Sequence, residues 1–185
     1  MAMESSDVAQ PLMEIVEGDH VQGPKGAKFT LVEYGDYECP DCGHLFEIIQ
    51  ELRSRATSRF RLVYRHYPLS GAHPHALEAA EAAEAAATQG RFWEMHKLLF
   101  QNQTALKHSD LLTYAERLGL DVDRFRRELE EKVYEEHVRE DFRRGVQNGV
   151  YGTPVLFLNG VRCDATRDSL LRVLAAGTAA SPRSR

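Results

Sequence analysis

The sequence is poor in cysteine and contains no long hydrophobic run. Only Cys39, Cys42 and Cys163 among its 185 residues are cysteines, and a chain of this length can bury a core without disulfide bonds. No segment approaches the roughly 20 consecutive apolar residues of a membrane span. The first 28 residues hold no apolar run suited to a signal peptide. We therefore predict no membrane association and a cytoplasmic protein, or an extracytoplasmic one if a signal peptide has been removed.

An excess of positive charge is also missing. The chain has 28 acidic and 23 basic residues, for a formal net charge of −5. It has no basic stripe of the kind that neutralises phosphates, so nucleic acid is not an expected partner. The 43% of hydrophobic and 28% of charged residues are typical of an ordinary globular protein.

The chain begins with the pattern of a β-α-β unit. A short β-rich run at residues 29–34 predicts a buried strand. From Pro40 onward the apolar residues recur at helical spacing, which places Cys39 at the N-cap of a helix. The residues of this apolar face are Leu45, Ile48, Ile49 and Leu52. A second strand is predicted at residues 60–67.

Roughly 70 residues of helical pattern follow, and then the strand pattern returns. The alanine- and glutamate-rich run that follows Pro74 predicts a helix with a solvated acidic face. Asn159 and Gly160, between two apolar runs, are a strong signal for a β-hairpin. A last helix is predicted at residues 167–176.

This order of elements predicts an α/β protein with a helical insertion. We predict a mobile N-terminal segment at residues 1–20 and a mobile tail at residues 177–185. Residues 21–72 and 150–176 are predicted to form one α/β domain, and residues 73–149 an inserted all-helical subdomain.

Cys39 and Cys42 form a C-x-x-C pair at the start of the first predicted helix. Residues three apart on a helix lie on the same side, so their sulfurs can reach each other. The free N–H groups and dipole of the helix N-terminus favour a thiolate at Cys39. Cys42, one turn further, is predicted to be shielded. This arrangement suits Cys39 as the attacking thiolate and Cys42 as the resolving thiol.

A metal site is the rival interpretation of the pair. A zinc site needs about four ligands, usually with a second pair at similar spacing, and the other cysteine is far away in the sequence. A C-x-x-C at a strand-to-helix junction favours redox chemistry. A metal-binding or metal-delivery module using Cys39, Cys42 and His44 remains the alternative.

Three motifs in this order closely resemble the DsbA-like thiol:disulfide oxidoreductases of the thioredoxin superfamily. They are LVEYGDYECPDC, GRFWEMHKLLF and GTPVLFLNG. The resemblance covers roughly residues 20–176 and implies a thioredoxin fold (β-α-β, then β-hairpin-α) with a helical subdomain inserted after the second strand. It also implies an enzyme that exchanges its Cys39–Cys42 disulfide with protein thiols and disulfides.

The resemblance further assigns roles to individual residues. Pro154 matches the family's cis-proline beside the cysteines, so Thr153 and Pro154 are expected to bind substrate. Glu33 matches the family's buried acid and is expected to accept a proton from Cys42, with a pKa raised by burial. The rival interpretation of Glu33 is a carboxylate that reaches solvent at the strand end.

The two residues between the cysteines, Pro40 and Asp41, are expected to tune the redox couple. The strongly oxidising DsbA has Pro-His there, with a thiol pKa near 3.5 and a potential of about −120 mV. Asp41 and Glu38 would repel a Cys39 thiolate. We therefore expect a less acidic thiol and a less oxidising disulfide than those of DsbA, and a Cys39 pKa below about 4.5 would contradict this.

The remaining candidate residues have ordinary interpretations. The turn register predicts Cys163 opposite Leu156, where it is either a free, partly buried thiol or a third redox thiol. His73 and His75 form an H-x-H without obvious carboxylate neighbours and are interpreted as a solvated loop.

No metal, nucleotide or flavin cofactor is implied. The expected partners are protein thiols and disulfides and an unidentified redox-recycling partner. A small-molecule or peroxide thiol reductase on the same fold remains a second alternative.

Overall fold

The computed structural model describes residues 14–56 and 60–176. Its strands are β1 (His20–Gln22), β2 (Phe29–Gly35), β3 (Phe60–His66), β4 (Val155–Leu158) and β5 (Val161–Cys163). The helices of the same residues are α1 (Pro40–Ala56), α2 (Ala76–Ala87), α3 (Phe92–Gln101), α4 (His108–Arg117), α5 (Val122–Glu130), α6 (Glu135–Gln147) and α7 (Arg167–Ala176).

The strands form one five-stranded sheet in the order β1-β3-β2-β4-β5. β2 and β3 run parallel and are connected by α1, as in a β-α-β unit. The other neighbours are antiparallel. The β4–β5 hairpin turns at Asn159, which has a φ of 48°, and Gly160, which has a φ of 84°. The predicted α/β fold with a β-hairpin and a final helix is confirmed.

Alternation along β2 divides the core into two layers. Leu31 faces the apolar layer under α1 and α7, whereas Val32 and Tyr34 face a second layer with Tyr67 and Phe157. Successive side chains of a strand point to opposite faces, so Glu33 lies on the same face as Leu31. The helices between β3 and β4 build a further core, in which Cys39 and Cys42 take part.

The predicted mobile N-terminal segment is wrong for residues 14–20. Arg65 on β3 donates hydrogen bonds to the Glu14 carbonyl at 2.7 Å and to both carboxylate oxygens of Asp19 at 2.8 Å. Ile15 contacts the core layer of Val32. At His20 the chain enters β1, which pairs with β3. Residues 1–13 of that predicted segment, and the predicted tail at residues 177–185, lie outside the described residues.

The predicted solvated acidic face of α2 is also wrong. Glu81 and Glu84 are buried at 3% and 6% exposure. Ala79, Ala82, Ala83 and Ala86 are fully buried beside them. These small side chains allow neighbouring helices to approach closely. The apolar side of α2 and much of its acidic side are therefore covered by other parts of the protein.

Candidate active site around Cys39 and Cys42

The two cysteines lie where β2 ends and α1 begins. The chain turns after Gly35, with the Cys39 N–H donating to the Asp36 carbonyl at 3.2 Å, and the first helical hydrogen bond runs from Gly43 N–H to the Cys39 carbonyl at 3.1 Å. Cys39 therefore immediately precedes the helix, as predicted. Both cysteines are free thiols.

The environments of the two thiols shift their pKa values in opposite directions. Cys42 is completely buried, and burial, with the nearby Cys39 and Glu33, holds its pKa far above the ordinary thiol range. The pKa of Cys39 is lowered to about 5, above all by its hydrogen bond with Cys42 and also by Thr153 and the backbone N–H groups of Asp41 and Cys42. Cys39 is thus a thiolate near neutral pH while Cys42 keeps its proton.

Glu33 is buried at 1% exposure, in the middle of β2. Burial raises its pKa to about 8, and its Oε1 atom has no hydrogen-bond partner among the described residues. Its charge is close enough to raise the pKa of Cys42. The rival interpretation, a carboxylate in solvent, does not fit this position.

Gly35 allows the close approach of side chains at the end of β2. A Cβ atom on Gly35 would lie 2.9 Å from the Tyr64 hydroxyl and 3.1 Å from Glu33 Oε1. Glu33 and Tyr64 are also direct neighbours in the parallel register of β2 and β3. The carboxylate and the buried phenol therefore share one small space behind Cys42.

The Thr153–Pro154 peptide bond, just before β4, is cis. The Cys39 sulfur lies 3.6 Å from the Thr153 carbonyl oxygen. The Thr153 hydroxyl is buried and has no hydrogen-bond partner among the described residues. The structure thus places Thr153 directly beside Cys39, with Pro154 next to it in the chain.

Pro40, Asp41 and His44 are all exposed on the first turns of α1. Asp41 therefore acts on Cys39 through solvent, where its charge is screened. Glu38, the other acid expected to repel the thiolate, accepts hydrogen bonds from the backbone N–H and Nδ1 of His75 at 2.7 Å and 2.9 Å. Its charge is partly compensated at the start of α2.

The interpretation of His73 and His75 as a solvated loop is wrong. His73 Nδ1 lies 2.8 Å from Asp36 Oδ2, and this hydrogen bond raises the pKa of His73, with smaller contributions from Cys39 and Glu38. Asp36 and Glu38 are two residues apart, as are the two histidines. The matching spacing of these two short patterns was the signal that sequence reasoning missed.

Gln103, two residues after the end of α3, is a second residue that sequence reasoning missed. Its side-chain amide donates to the carbonyls of Tyr37 and Cys39 at 2.9 Å and 2.7 Å. Gly43 makes room for it, since a Cβ there would lie 2.2 Å from Gln103 Oε1. The helical insertion thus holds the turn that carries Cys39.

Cys163 lies opposite Leu156 in the β4–β5 ladder, so the predicted register is confirmed. It is half-buried against the core layer under α1. Burial raises the pKa of its thiol.

The metal alternative is not supported by the arrangement of Cys39, Cys42 and His44. Among the described residues, the group of three metal-donor side chains that do converge is His20, His66 and Glu84. His44 is exposed, whereas Cys42 is fully buried.

Within the same described ranges, no helix has the length and apolar content to cross a membrane.

Comparisons with known proteins agree with this architecture. A family model described as thioredoxin matches residues 16–175. Among solved structures, BdbD from Bacillus subtilis is 20% identical with a TM-score of 0.77, over 86% of this chain and 92% of that one. A thioredoxin-like oxidoreductase from Silicibacter pomeroyi is 26% identical with a TM-score of 0.75, over 88% and 94%. Wolbachia pipientis alpha-DsbA1 is 17% identical with a TM-score of 0.76, over 89% and 92%.

The curated relatives are much longer than this chain. One from Salinispora arenicola, named Na(+)/H(+) antiporter NhaA 1, is 51% identical over 78% of this chain and 22% of its own length. One of the same name from Mycolicibacterium gilvum is 43% identical over 87% of this chain and 27% of its own length. The chain therefore spans about a quarter of the curated relatives it matches.

Proposed function

Because the chain belongs to the thioredoxin family and has the fold of DsbA-like thiol-disulfide oxidoreductases, we propose that it exchanges a Cys39–Cys42 disulfide with protein substrates. The proposal rests on the opposite protonation states of the two thiols. Cys39 has a pKa lowered to about 5, and Cys42 is buried and protonated. Thiolate, not thiol, is the nucleophile and the better leaving group in disulfide exchange.

In the oxidising direction, a substrate thiolate attacks the sulfur of Cys39. The Cys39–Cys42 bond breaks, Cys42 departs with the electron pair, and a mixed disulfide joins Cys39 to the substrate. A second substrate thiolate attacks the substrate sulfur of that bond. The substrate gains a disulfide, and Cys39 is released as a thiolate. Two electrons pass from the substrate to the cysteine pair.

Reduction runs through the same steps in reverse. The Cys39 thiolate attacks a substrate disulfide, and Cys42 then loses its proton and displaces the substrate from Cys39. In either direction Cys42 exchanges one proton. Glu33, with a pKa of about 8, is proposed to hold that proton, because it is the buried acid whose charge acts on Cys42.

Thr153 and Pro154 are proposed to bind the substrate backbone. They lie beside Cys39, with the Thr153 carbonyl 3.6 Å from its sulfur. An extended substrate segment placed there would bring its sulfur to Cys39. Pro40 and Asp41 are proposed to tune the potential, because they lie between the two cysteines at the exposed start of α1.

The direction of exchange depends on the redox potential of the compartment. In a cytosol poised at about −220 to −320 mV, a more oxidising couple rests reduced and acts as a reductant or isomerase. In an extracytoplasmic compartment the same couple can donate disulfides. Ion transport is no part of the proposal, because the chain spans about a quarter of the relatives named as antiporters.

The proposal is tested by trapping the mixed disulfide. A Cys42→Ala variant, mixed with a peptide disulfide, is expected to form a covalent adduct on Cys39 that a reductant releases and mass spectrometry locates. The Cys163→Ser variant is the control and is expected to exchange disulfides at the unmodified rate. Failure of the unmodified chain both to oxidise any dithiol peptide and to reduce any disulfide peptide, together with no adduct in Cys42→Ala, would overturn the proposal.

A further inference from the structure

A second cluster of titratable side chains lies where the edge of the sheet meets the helical insertion. It contains His20 on β1, His66 at the end of β3, Glu84 on α2 and His137 on α6. His20 Nε2 and His66 Nε2 each lie 2.7 Å from Glu84 Oε1. His137 Nε2 lies 3.7 Å from the other carboxylate oxygen, Oε2. None of these residues has a part in the exchange mechanism.

The donor atoms lie close enough together to surround one small ion, although the two hydrogen-bonded histidine–Glu84 pairs, at 2.7 Å, would have to open slightly to admit it. The donor atoms of His20, His66 and Glu84 all lie within 4.8 Å of one another. Four ligands at zinc bond lengths are separated from one another by about 3.3–3.5 Å. The contact of 3.7 Å between His137 and Glu84 is too long for a hydrogen bond but close to this ligand spacing.

The surroundings fix the positions of the three histidines. His20 stacks on Phe92 with 3.4 Å between ring centroids. The backbone N–H of His66 donates to Asp141 Oδ2 at 3.0 Å. Gly18, at a φ of 95°, lies against His137, where a Cβ atom would be 3.1 Å from the imidazole. Positioned imidazoles are what a metal site needs, because the ion must find its ligands already oriented.

The cluster also has an entry path. His66 and Glu84 are buried, with side-chain exposures of 1% and 8%, whereas His20 and His137 are exposed to 16% and 34%. The two buried ligands would form the floor of the site, and the two partly exposed ones its opening to solvent. Accessibility from one side is a requirement for metal uptake after folding.

We propose that His20, His66 and Glu84 form a binding site for a divalent transition-metal ion of the zinc type, and that His137, now beside Glu84 Oε2, turns toward the ion as the fourth ligand. Imidazole nitrogen with one carboxylate is a donor set for zinc, copper or nickel, whereas calcium and magnesium are bound by oxygen. The four ligands come from the sheet and from the helical insertion. A bound ion therefore joins these two parts and stabilises the fold, without contact with the redox pair.

The test uses the full chain with all three cysteines replaced by serine, so that thiols cannot bind the metal. Zinc is added to metal-free protein, and binding is measured by calorimetry and by metal analysis after dialysis. One equivalent is expected to bind and to raise the melting temperature, because an ion that binds only the folded state stabilises it. Cobalt is expected to give the visible spectrum of nitrogen and oxygen coordination.

Variants of the partly exposed ligands identify the site. His20→Gln and His137→Gln are each expected to weaken zinc binding at least tenfold and to remove the cobalt spectrum. His108→Gln is the matched control, since His108 also contacts a glutamate, at 2.6 Å from Glu78 Oε1, but at the surface. It is expected to bind zinc like the cysteine-free parent. Circular dichroism of the metal-free variants checks that they are folded.

The result that would overturn the proposal is equally specific. Either no stoichiometric zinc binds to the folded, cysteine-free chain, or binding persists unchanged in both His20→Gln and His137→Gln. The outcome is independent of the proposed disulfide exchange, because the chain tested has no cysteine and cannot perform it.

Discussion

The imidazole of His73 lies with its Nδ1 atom 2.8 Å from Asp36 Oδ2, at the base of the turn that carries Cys39. Asp36 Oδ1 and Oδ2 also accept the backbone N–H groups of Glu38 and Leu69 at 2.8 Å. The pKa of His73 is raised, first by its hydrogen bond to Asp36 and also by the charge of Cys39. The influence is mutual, so a protonated His73 stabilises the Cys39 thiolate.

His73→Gln is therefore expected to raise the pKa of Cys39 by about half a unit, the effect of losing one charge near the protein surface. The measurement is the ultraviolet absorbance of the thiolate as a function of pH in the reduced protein. His44→Gln removes an exposed histidine of α1 and serves as the control. An unchanged titration in His73→Gln, with Asp36→Asn equally without effect, would show that the pair does not act on Cys39.

Glu33 gives a second prediction, about stability and pH. Its folded pKa is about 8 against an ordinary value of 4.5. Between these values the unfolded state ionises Glu33 while the folded state keeps it protonated. The unfolded state then binds fewer protons, so this group lowers stability as pH rises from about 4.5 to 8.

Glu33→Gln should remove that part of the pH dependence. At pH 5 the variant is expected to unfold at nearly the same denaturant concentration as the parent, and at pH 8 to be more stable by on the order of 3 kcal/mol. Chemical denaturation of the reduced proteins at several pH values measures this. A constant difference across the range would mean that Glu33 does not titrate as described.

The same substitution has a kinetic consequence if Glu33 holds the proton of Cys42. Resolution of the mixed disulfide by Cys42 is expected to slow about tenfold or more, in line with the loss of a general base, while formation of the mixed disulfide by Cys39 is nearly unchanged. Rapid quenching with acid, followed by mass spectrometry, separates the two steps. Equal slowing of both steps would point to a structural effect of the substitution.

Local patterns were sufficient to predict the elements that carry the cysteines. Apolar spacing predicted α1, and Asn159-Gly160 predicted the β4–β5 hairpin, whose first strand follows Thr153 and Pro154 and pairs with β2. β1 was missed because three residues are too few to show a period. The burial of Glu84 was missed because its partners, His66 and His20, are 18 and 64 residues away. Pairings between residues so far apart in the sequence are set by the tertiary fold, and local propensity does not predict them.

Gln103 shows how the insertion acts on the redox turn, and it supports a further prediction. Gln103→Ala leaves the carbonyls of Tyr37 and Cys39 without their side-chain donor. Loss of hydrogen bonds to such groups costs about 1–3 kcal/mol of stability. Denaturation of Gln103→Ala measures the cost, with Gln101→Ala, an exposed residue at the end of α3, as the control. Equal stability of the two variants would contradict the role assigned to Gln103.

Asp41 lies between the cysteines, exposed and one residue into α1. Replacing it by histidine removes a negative charge and adds a positive one at acidic to neutral pH, so Asp41→His is expected to lower the pKa of Cys39. Stabilising this thiolate favours the reduced pair, which makes the disulfide more oxidising. One pKa unit corresponds to about 1.4 kcal/mol, or about 30 mV for a two-electron couple.

Screening at this exposed position reduces the effect, and we expect a rise in potential of about 15–30 mV for Asp41→His. Equilibration with a glutathione series, followed by thiol alkylation, measures the potentials of parent and variant. Glu47→His makes the same change of charge at an exposed site further along α1 and is expected to shift the potential much less. If both variants shift the potential equally, the helix responds to net charge, and Asp41 has no special influence from its place between the cysteines.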